Sequence, residues 1–394
     1  MNSIRNKLLL AIVLVTIPPL LSIGWYGGRL VEDAMRAHGL SAIETRGAEL
    51  TANLEAKLSS AEGDLLLLSN APTISQYLLA RDSKDVRLID AAGGNLTQAF
   101  ARLSEIRGDY HQIRFIDSDG KERIRVAREG TDSFTVSPAA LANEVANPFF
   151  REALKAPRGT VLVSALGLAR NKGKIEEPQQ AEIRFAAPVF NNRAQRRGVV
   201  TIHVNASALL AVVSEAATSG TDWWFLNEDG SYASHPEAGK LWGGTGDLAT
   251  EESLVRDFPA LAPRVLAATE IMRDEDAQRF VLANRVIVPG AAERTLGFLV
   301  AKIPTAELYA TASDFRRFFN VLTFEALAAV LIFGSLVAHW ITRPIVDLTA
   351  AAERMSRGDL EAPIEATSTD EIKTLAEAME RLRKSMKIVL DKYA

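Results

Sequence analysis

Asp117-Ser118-Asp119-Gly120 sets two carboxylates one residue apart ahead of a glycine, the way a calcium-binding loop opens. That chemistry needs a bidentate glutamate to close the loop, and Arg128 stands at its position. The run therefore reads as a turn between two strands. The five histidines, His38, His111, His203, His235 and His339, are scattered, with no pair at the spacing of metal ligands. No metal and no other cofactor is expected. Cysteine is absent, so neither disulfide nor thiolate chemistry is available. There is no glycine-rich nucleotide loop, and no convergent acid–base set can be read. No histidine follows His339 to accept a phosphoryl group in the C-terminal segment. The chain is accordingly not expected to be an enzyme. Glu325 is an oddity of another kind, a carboxylate inside an apolar run. Such a group is costly in lipid, so it should lie near the interface or against a partner helix.

Two apolar runs divide the 394 residues. The second, 318–341, is long enough to cross a hydrocarbon core of ~30 Å at ~1.5 Å per residue. The first, 8–28, follows a short basic segment, 1–7, with Arg5 and Lys7. A cleaved signal peptide competes for this run, but it is long for one, and Trp25-Tyr26 suits an interfacial anchor. Pro18-Pro19 is expected to kink it. Positive charge at its inner end puts the N-terminus in the cytoplasm, with 29–317 outside the inner membrane and 342–394 inside. A net charge of −4 gives no case for nucleic-acid binding, and 47% apolar residues allow substantial cores.

In the outer segment, Leu40, Ile43, Leu50, Leu54, Leu58, Ala61, Leu65 and Leu68 form one helical stripe over 36–70. Such a helix is long enough to run beside two stacked modules or beside its copy in a dimer. A second helix spans 85–107. Strands follow at 112–116 and 121–126, joined as a hairpin. A short helix opens at Asn147-Pro148, and further strands are expected at 159–166, 182–190 and 198–205. This order predicts an α+β module with an antiparallel sheet about five strands wide. The pattern recurs: Phe225-Leu226-Asn227-Glu228-Asp229-Gly230 echoes Phe115-Ile116-Asp117-Ser118-Asp119-Gly120, and 281–288 and 295–302 echo the last two strands. Two tandem modules result, a distal one over about 85–205 and a proximal one over about 206–305.

After Thr342-Arg343-Pro344 a first helix steps through Ile345, Leu348, Ala352 and Met355 and stops at Gly358-Asp359-Leu360. Pro363 keeps the connector extended. A second helix opens at Asp370-Glu371, and Ile372, Leu375, Met379, Leu382, Met386 and Val389 form a heptad seam. So narrow a stripe needs partner helices, which predicts a parallel bundle in a homodimer.

Two stretches resemble known families. Gly159-Thr160-Val161-Leu162-Val163-Ser164-Ala165, Ile175-Glu176-Glu177-Pro178, Ile183-Arg184-Phe185-Ala186-Ala187-Pro188-Val189-Phe190 and Arg197-Gly198-Val199-Val200 resemble the distal module of double Cache (PAS-like) sensors. Residues 224–236 and Lys240-Leu241-Trp242-Gly243 resemble the proximal one. Pro344, Gly358, Leu360 and Asp370-Glu371 resemble a HAMP domain. This combination occurs in bacterial chemoreceptors and transmembrane sensor kinases and cyclases. It implies a receptor in the bacterial inner membrane, in contact with lipid, whose distal module binds a small extracytoplasmic ligand. The ligand would be a carboxylate or an amino-acid-like metabolite. The second span and HAMP would then relay the change to an output domain or a separate cytoplasmic partner. By the same resemblance Tyr110, Arg114, Phe150, Ser164 and Arg184 fall where ligand-contacting residues lie. Arg114 and Arg184 could each offer a planar fork to a carboxylate. Phe149-Phe150 stands where the amino-acid-binding members often carry tryptophan. Trp223-Trp224 and His235-Pro236 suit either a second pocket or plain core. The competing expectation is a scaffolding membrane protein whose outer domain binds another protein through an exposed apolar patch on the sheets.

Overall fold

The computed structural model describes residues 4–171, 173–218, 220–290, 293–364 and 371–393. Residues 38–308 form one compact unit, and residues up to 37 and from 309 onward form another. The first helix, α1 (Ile4–Ser69), contributes to both, with Pro18 and Pro19 inside it.

In the unit 38–308, the predicted stripe of α1 is buried: Leu50, Leu54, Leu58, Ala61 and Leu65 are all shielded from solvent. Each leucine so buried contributes about 1.5–3 kcal/mol. After α1 come α2 (Pro72–Ser83) and α3 (Val86–Arg107), whose start is capped by the Asp85 carboxylate accepting from the Arg87 amide. The distal sheet is built from β1 (Tyr110–Asp117), β2 (Glu122–Glu129), β3 (Asp132–Thr135), β4 (Leu162–Val163), β5 (Gly167–Leu168), β6 (Ala181–Phe190) and β7 (Arg196–Asn205). A helix, α4 (Pro148–Lys155), lies between β3 and β4 in the chain. The order β3-β2-β1-β7-β6-β4, with β5 also on β6, makes seven strands rather than five. The expected strand over 159–166 survives only at Leu162–Val163. At Ser164 the side-chain hydroxyl takes the Arg184 amide at 2.9 Å, so a side chain replaces the next ladder bond and the strand ends.

The proximal module follows with α5 (Ser207–Glu215), β8 (Asp222–Asn227), β9 (Tyr232–Ser234), α6 (Leu254–Asp257), α7 (Ala262–Leu266), β10 (Met272–Glu275), β11 (Arg279–Val288) and β12 (Arg294–Pro304). Its sheet order is β9-β8-β12-β11-β10, the same path as β2-β1-β7-β6 in the distal sheet. The echo seen in the sequence is thus a structural repeat. Gly120 and Gly230 each donate their amide to the residue three back, Asp117 and Asn227, at 2.9 Å, with φ of 81° and 84°. Gly198 and Gly297 both lie where a Cβ would collide with the neighbouring strand's carbonyl, of Ile116 and Leu226 respectively. The aspartates of the first turn hold arginines: Arg81 on Asp117 at 2.7 Å and Arg123 on Asp119 at 3.1 Å.

Helix α1 touches both modules of this unit. Glu55 accepts the Ile287 amide at 3.0 Å beside the proximal sheet, and further along Asp64 receives Arg107 at 2.6 Å beside the distal one.

In the other unit, the second long helix, α8 (Ala310–Ser356), contains the apolar run and Pro344. Both α1 and α8 are long and apolar enough to cross a membrane. Gly24 faces Thr323, and Gly27 and Gly28 face Phe319, the small-against-large contact by which spans approach closely. Helix α8 ends in a Schellman motif. Gly358 (φ 86°) donates to Met355 and Asp359 donates to Arg354, both at 3.1 Å. The connector then docks on α9 (Glu371–Tyr393): Glu380 accepts the Ile364 amide at 3.0 Å and Lys387 pairs with Glu361 at 2.6 Å. Asp370 lies outside the described residues. In the last turns of α8, after Pro344, Ala351, not the expected Ala352, joins Leu348 and Met355 as buried.

Candidate functional site

Adjacent strands of the distal sheet place charged and polar residues on one face in register. Arg125, Arg114 and Thr201 are direct neighbours across β2, β1 and β7, and Gln112, His203 and Arg184 across β1, β7 and β6. Above them lies a cavity of about 670 Å³, within the usual range for small-molecule sites. Its floor is Arg114, Arg125, Thr201, His203 and Arg184. Its walls come from residues 141–144, Ala146 and Asn147, from Phe149 and Phe150 on α4, and from Arg170 and Glu176. The wall at α4 is fixed locally, because Asn147 caps the helix by accepting the Phe149 amide at 3.0 Å. Phe150 is buried against Ile116, Ala153, Ala186 and Val199, which ties the wall to the sheet.

The cations on the floor are held, not loose. Arg125 chelates Glu122, which is buried, with one bond of 2.7 Å. Arg114 donates to Gln112 at 2.9 Å and lies 3.6 Å from Glu122 and 3.5 Å from Glu144. Burial, and then the like charge of Arg125, work to lower its pKa, but guanidinium remains charged at neutral pH. Arg184 sits 3.4 Å from Glu182 and stacks over Phe149 with 5.3 Å to the ring centre. It is the most exposed of these three guanidinium groups. Glu182 receives His203 Nδ1 at 2.8 Å and His111 Nε2 at 3.0 Å on the same oxygen. Burial pushes the His203 imidazole down to about 3, helped by the Arg114 charge, so it is neutral at physiological pH. Burial alone would raise the Glu182 carboxyl; the two imidazoles outweigh it and hold the group below the usual carboxylate range. The Thr201 hydroxyl is buried with no hydrogen-bond partner among the described residues.

Of the five residues expected to contact ligand, Arg114, Phe150 and Arg184 line this cavity; Tyr110 and Ser164 do not. Tyr110 points to the other face, where its hydroxyl donates to Asp64 at 2.6 Å. The cause is a β-bulge between Tyr110 and Gln112, which adds one residue and reverses the side-chain alternation behind it. Ser164 uses its hydroxyl on the Ala165 carbonyl and the Arg184 amide. The sequence reading missed Arg125, Thr201 and His203, all detectable as cross-strand neighbours of Arg114 and Arg184 once the pairing is known. It also missed the meeting of His111 and His203, whose rings lie 5.9 Å apart on neighbouring strands.

The proximal sheet is the internal control. In the same register, Trp224 and Val300 replace Arg114 and Thr201, and Val281 and Lys302 replace Arg184 and His203. There, Trp224, Val281, Ala283 and Val300 pack with Leu254, Leu261 and Val265 into a core. Trp223-Trp224 is therefore core, and the His235 ring lies tilted against Trp224 with centres 5.1 Å apart. One copy of the frame is filled by its own helices, and the other is left polar and hollow.

Residues 51–279 match the family model of the bacterial histidine kinase sensor domain. The chain belongs to that family. A HAMP domain matches residues 336–387, beyond this sensor domain. The sensor domain is similar to the extracellular domain of a candidate histidine kinase, at TM-score 0.59 and 16% identity over 71% of this chain and 96% of that one. It is equally similar to a domain of a candidate sensory box/GGDEF family protein from Vibrio parahaemolyticus, at TM-score 0.59 and 16% identity over 70% and 99%. A weaker likeness, TM-score 0.45 and 14% identity over 67% and 98%, is to the ligand-binding domain of a Pseudomonas aeruginosa amino-acid chemoreceptor in complex with GABA. A sensor domain of two tandem sheet modules, two apolar helices and HAMP are thus shown, the parts of a transmembrane signalling receptor.

Proposed function

We propose that this chain is an inner-membrane receptor that binds a small carboxylate-bearing metabolite in the distal cavity. The observation that carries this reading is the contrast between two copies of one sheet. Among the described residues, the distal copy keeps arginines, an unpartnered hydroxyl and a cavity of about 670 Å³ at the positions where the proximal copy places the buried core side chains Trp224, Val281 and Val300. Filling that space with side chains is the stable solution. Leaving it open and polar costs stability, which makes sense where a ligand completes it. Arg184, partly exposed and braced by Phe149, is the group best placed to take the carboxylate.

An amino-acid ligand is a second reading with its own support. Glu176 lines the same cavity, and its carboxylate has no hydrogen-bond partner among the described residues, so it could receive an ammonium group. The scaffolding alternative asks for an apolar patch on the sheets, and the distal sheet face offers a charged hollow instead.

The chain acts as a relay, not as a catalyst. The sensor domain lies outside the cytoplasm, and α8 and HAMP carry its change to a cytoplasmic output domain or a separate partner. Leu375 and Leu382 on α9 are 52% and 56% exposed in the single chain, which supports a homodimer that covers this seam. Thermal unfolding of the full chain in nanodiscs, against a panel of carboxylates and amino acids, tests the reading. A ligand-dependent rise in melting temperature is expected; no rise with any member would overturn it.

A further inference from the structure

Beside the cavity floor, and sharing His203 with it, lies a second constellation that carboxylate recognition does not require. His111 Nε2, His203 Nδ1 and one Glu182 oxygen lie within 4.8 Å of one another, and all three residues are buried. They come from three adjacent strands, β1, β7 and β6, so the sheet itself holds them. His111 arrives there through the bulge in β1: it has no partner of its own in the pairing with β7, being the extra residue that Tyr110↔Val204 and Gln112↔His203 leave between them. Bulges of this kind re-aim side chains next to functional sites. His203 also lines the cavity, so the cluster adjoins the ligand space.

We propose that His111, Glu182 and His203 bind a divalent transition cation of the zinc, cobalt or nickel class, with a coordination position open toward the cavity. Two imidazoles and one carboxylate are a common ligand set for such ions. With metal–ligand bonds of ~2.0–2.2 Å, tetrahedral donors lie about 3.4 Å apart. The two imidazole nitrogens here stand 2.8 and 3.0 Å from the carboxylate oxygen, so each pair needs to open by only about half an ångström. The ion would take the place of the protons that bridge the two imidazole nitrogens to the Glu182 oxygen, so binding releases protons. Arg184 approaches the other oxygen of Glu182, leaving the oxygen that faces both imidazoles to the ion. In the proximal repeat Lys302 and Arg279 occupy the places of His203 and Glu182, so the constellation belongs to the distal module alone.

The charge balance links this site to the cavity above it. A dication added to one carboxylate, beside Arg114 and Arg184, leaves an excess of positive charge that an entering anion neutralises. Metal and carboxylate should therefore strengthen each other's binding, and by linkage the two effects are equal.

Tag-free full-length protein in detergent, stripped with EDTA and desalted, is titrated with Co²⁺ and with Zn²⁺. One metal per chain is expected, with visible Co²⁺ d–d absorption. Glu182→Gln and His203→Gln should weaken binding by more than the ~10–100-fold typical of outer-shell changes, and His235→Gln should leave it unchanged. X-ray absorption of the zinc-loaded wild type, which needs no variant to fold, should count two imidazoles plus oxygen ligands. Absence of stoichiometric metal, binding indifferent to the Glu182 and His203 variants, or a spectrum without two imidazoles would each overturn the proposal. Carboxylate binding by the metal-free protein would persist in all three cases, so the receptor reading is tested separately.

Discussion

Replacing Thr201 by valine should stabilise the protein and weaken its ligand at the same time. The Thr201 side chain is buried, with the residue 4% exposed, and its hydroxyl has no hydrogen-bond partner among the described residues. A buried polar group without a partner costs about 1–3 kcal/mol relative to one that is satisfied. Valine keeps the branched shape and removes the polar atom, and valine is what the protein itself uses at the matching row of the proximal sheet, Val300. For a unit of this size about 1 kcal/mol raises the melting temperature by roughly 2 °C. The ligand loses a partner at the cavity floor, a net loss of ~0.5–1.5 kcal/mol or roughly 2–12-fold in affinity. Paired thermal unfolding and calorimetric titration on full chain in nanodiscs reads both. Destabilisation by the substitution would mean that the hydroxyl serves the fold. Unchanged affinity would mean that the ligand does not reach this part of the floor. Either result refutes the reasoning.

Three other outcomes are expected. The proximal loop grips the cavity wall, because Asp247 accepts the Leu168 amide at 2.8 Å and Arg170, itself in the wall, donates to the Gly246 carbonyl at 2.6 Å. Asp247→Ala removes one charge-assisted bond of about 1.5 kcal/mol, so hydrogen exchange at Leu168 should accelerate roughly tenfold; unaltered exchange would exclude the grip. Burial lowers the pKa of His235, and the Lys240 charge adds to this. A base so depressed binds its proton more readily in the unfolded chain, so its contribution is intact above about pH 6.5 and is lost as pH falls below it, at most about 1.4 kcal/mol per unit. Chemical denaturation at pH 7.5 and 5.5 should show this loss in wild type and a smaller one in His235→Gln. Leu382→Asp places a charge on the bare seam of α9 and should abolish dimer crosslinking through the cytoplasmic helices while leaving the sensor domain's melting unchanged.

Much of the frame could be read from residue patterns because local physics decides it. The leucine stripe of α1 needs a buried face, and the turns at Asp117–Gly120 and Asn227–Gly230 need glycine at a left-handed position. Glycine at 358 stops a helix wherever it lands in the αL region. The candidate site was legible only where strand alternation runs undisturbed. Arg114 and Arg184 lie in such stretches, whereas the bulge behind Tyr110 shifts parity in a way no composition signals. Ser164 looked available because a hydroxyl spent on a neighbouring amide is indistinguishable in sequence from a free one. Arg170 and Glu176 come from a short hairpin whose position depends on tertiary contacts. The His111–Glu182–His203 cluster exists only because β1, β7 and β6 are neighbours in the sheet.

The most direct test of the account is a calorimetric titration of carboxylates and amino acids into three proteins: wild type, Arg184→Ala and Lys302→Ala. Position 302 is the proximal counterpart of His203, beside the filled core. A ligand that binds wild type should bind Lys302→Ala equally well. It should lose about 10–150-fold on Arg184→Ala, the ~1.5–3 kcal/mol of a charge-assisted bond. Binding that survives Arg184→Ala and disappears with Lys302→Ala would place the ligand in the wrong module and contradict the account.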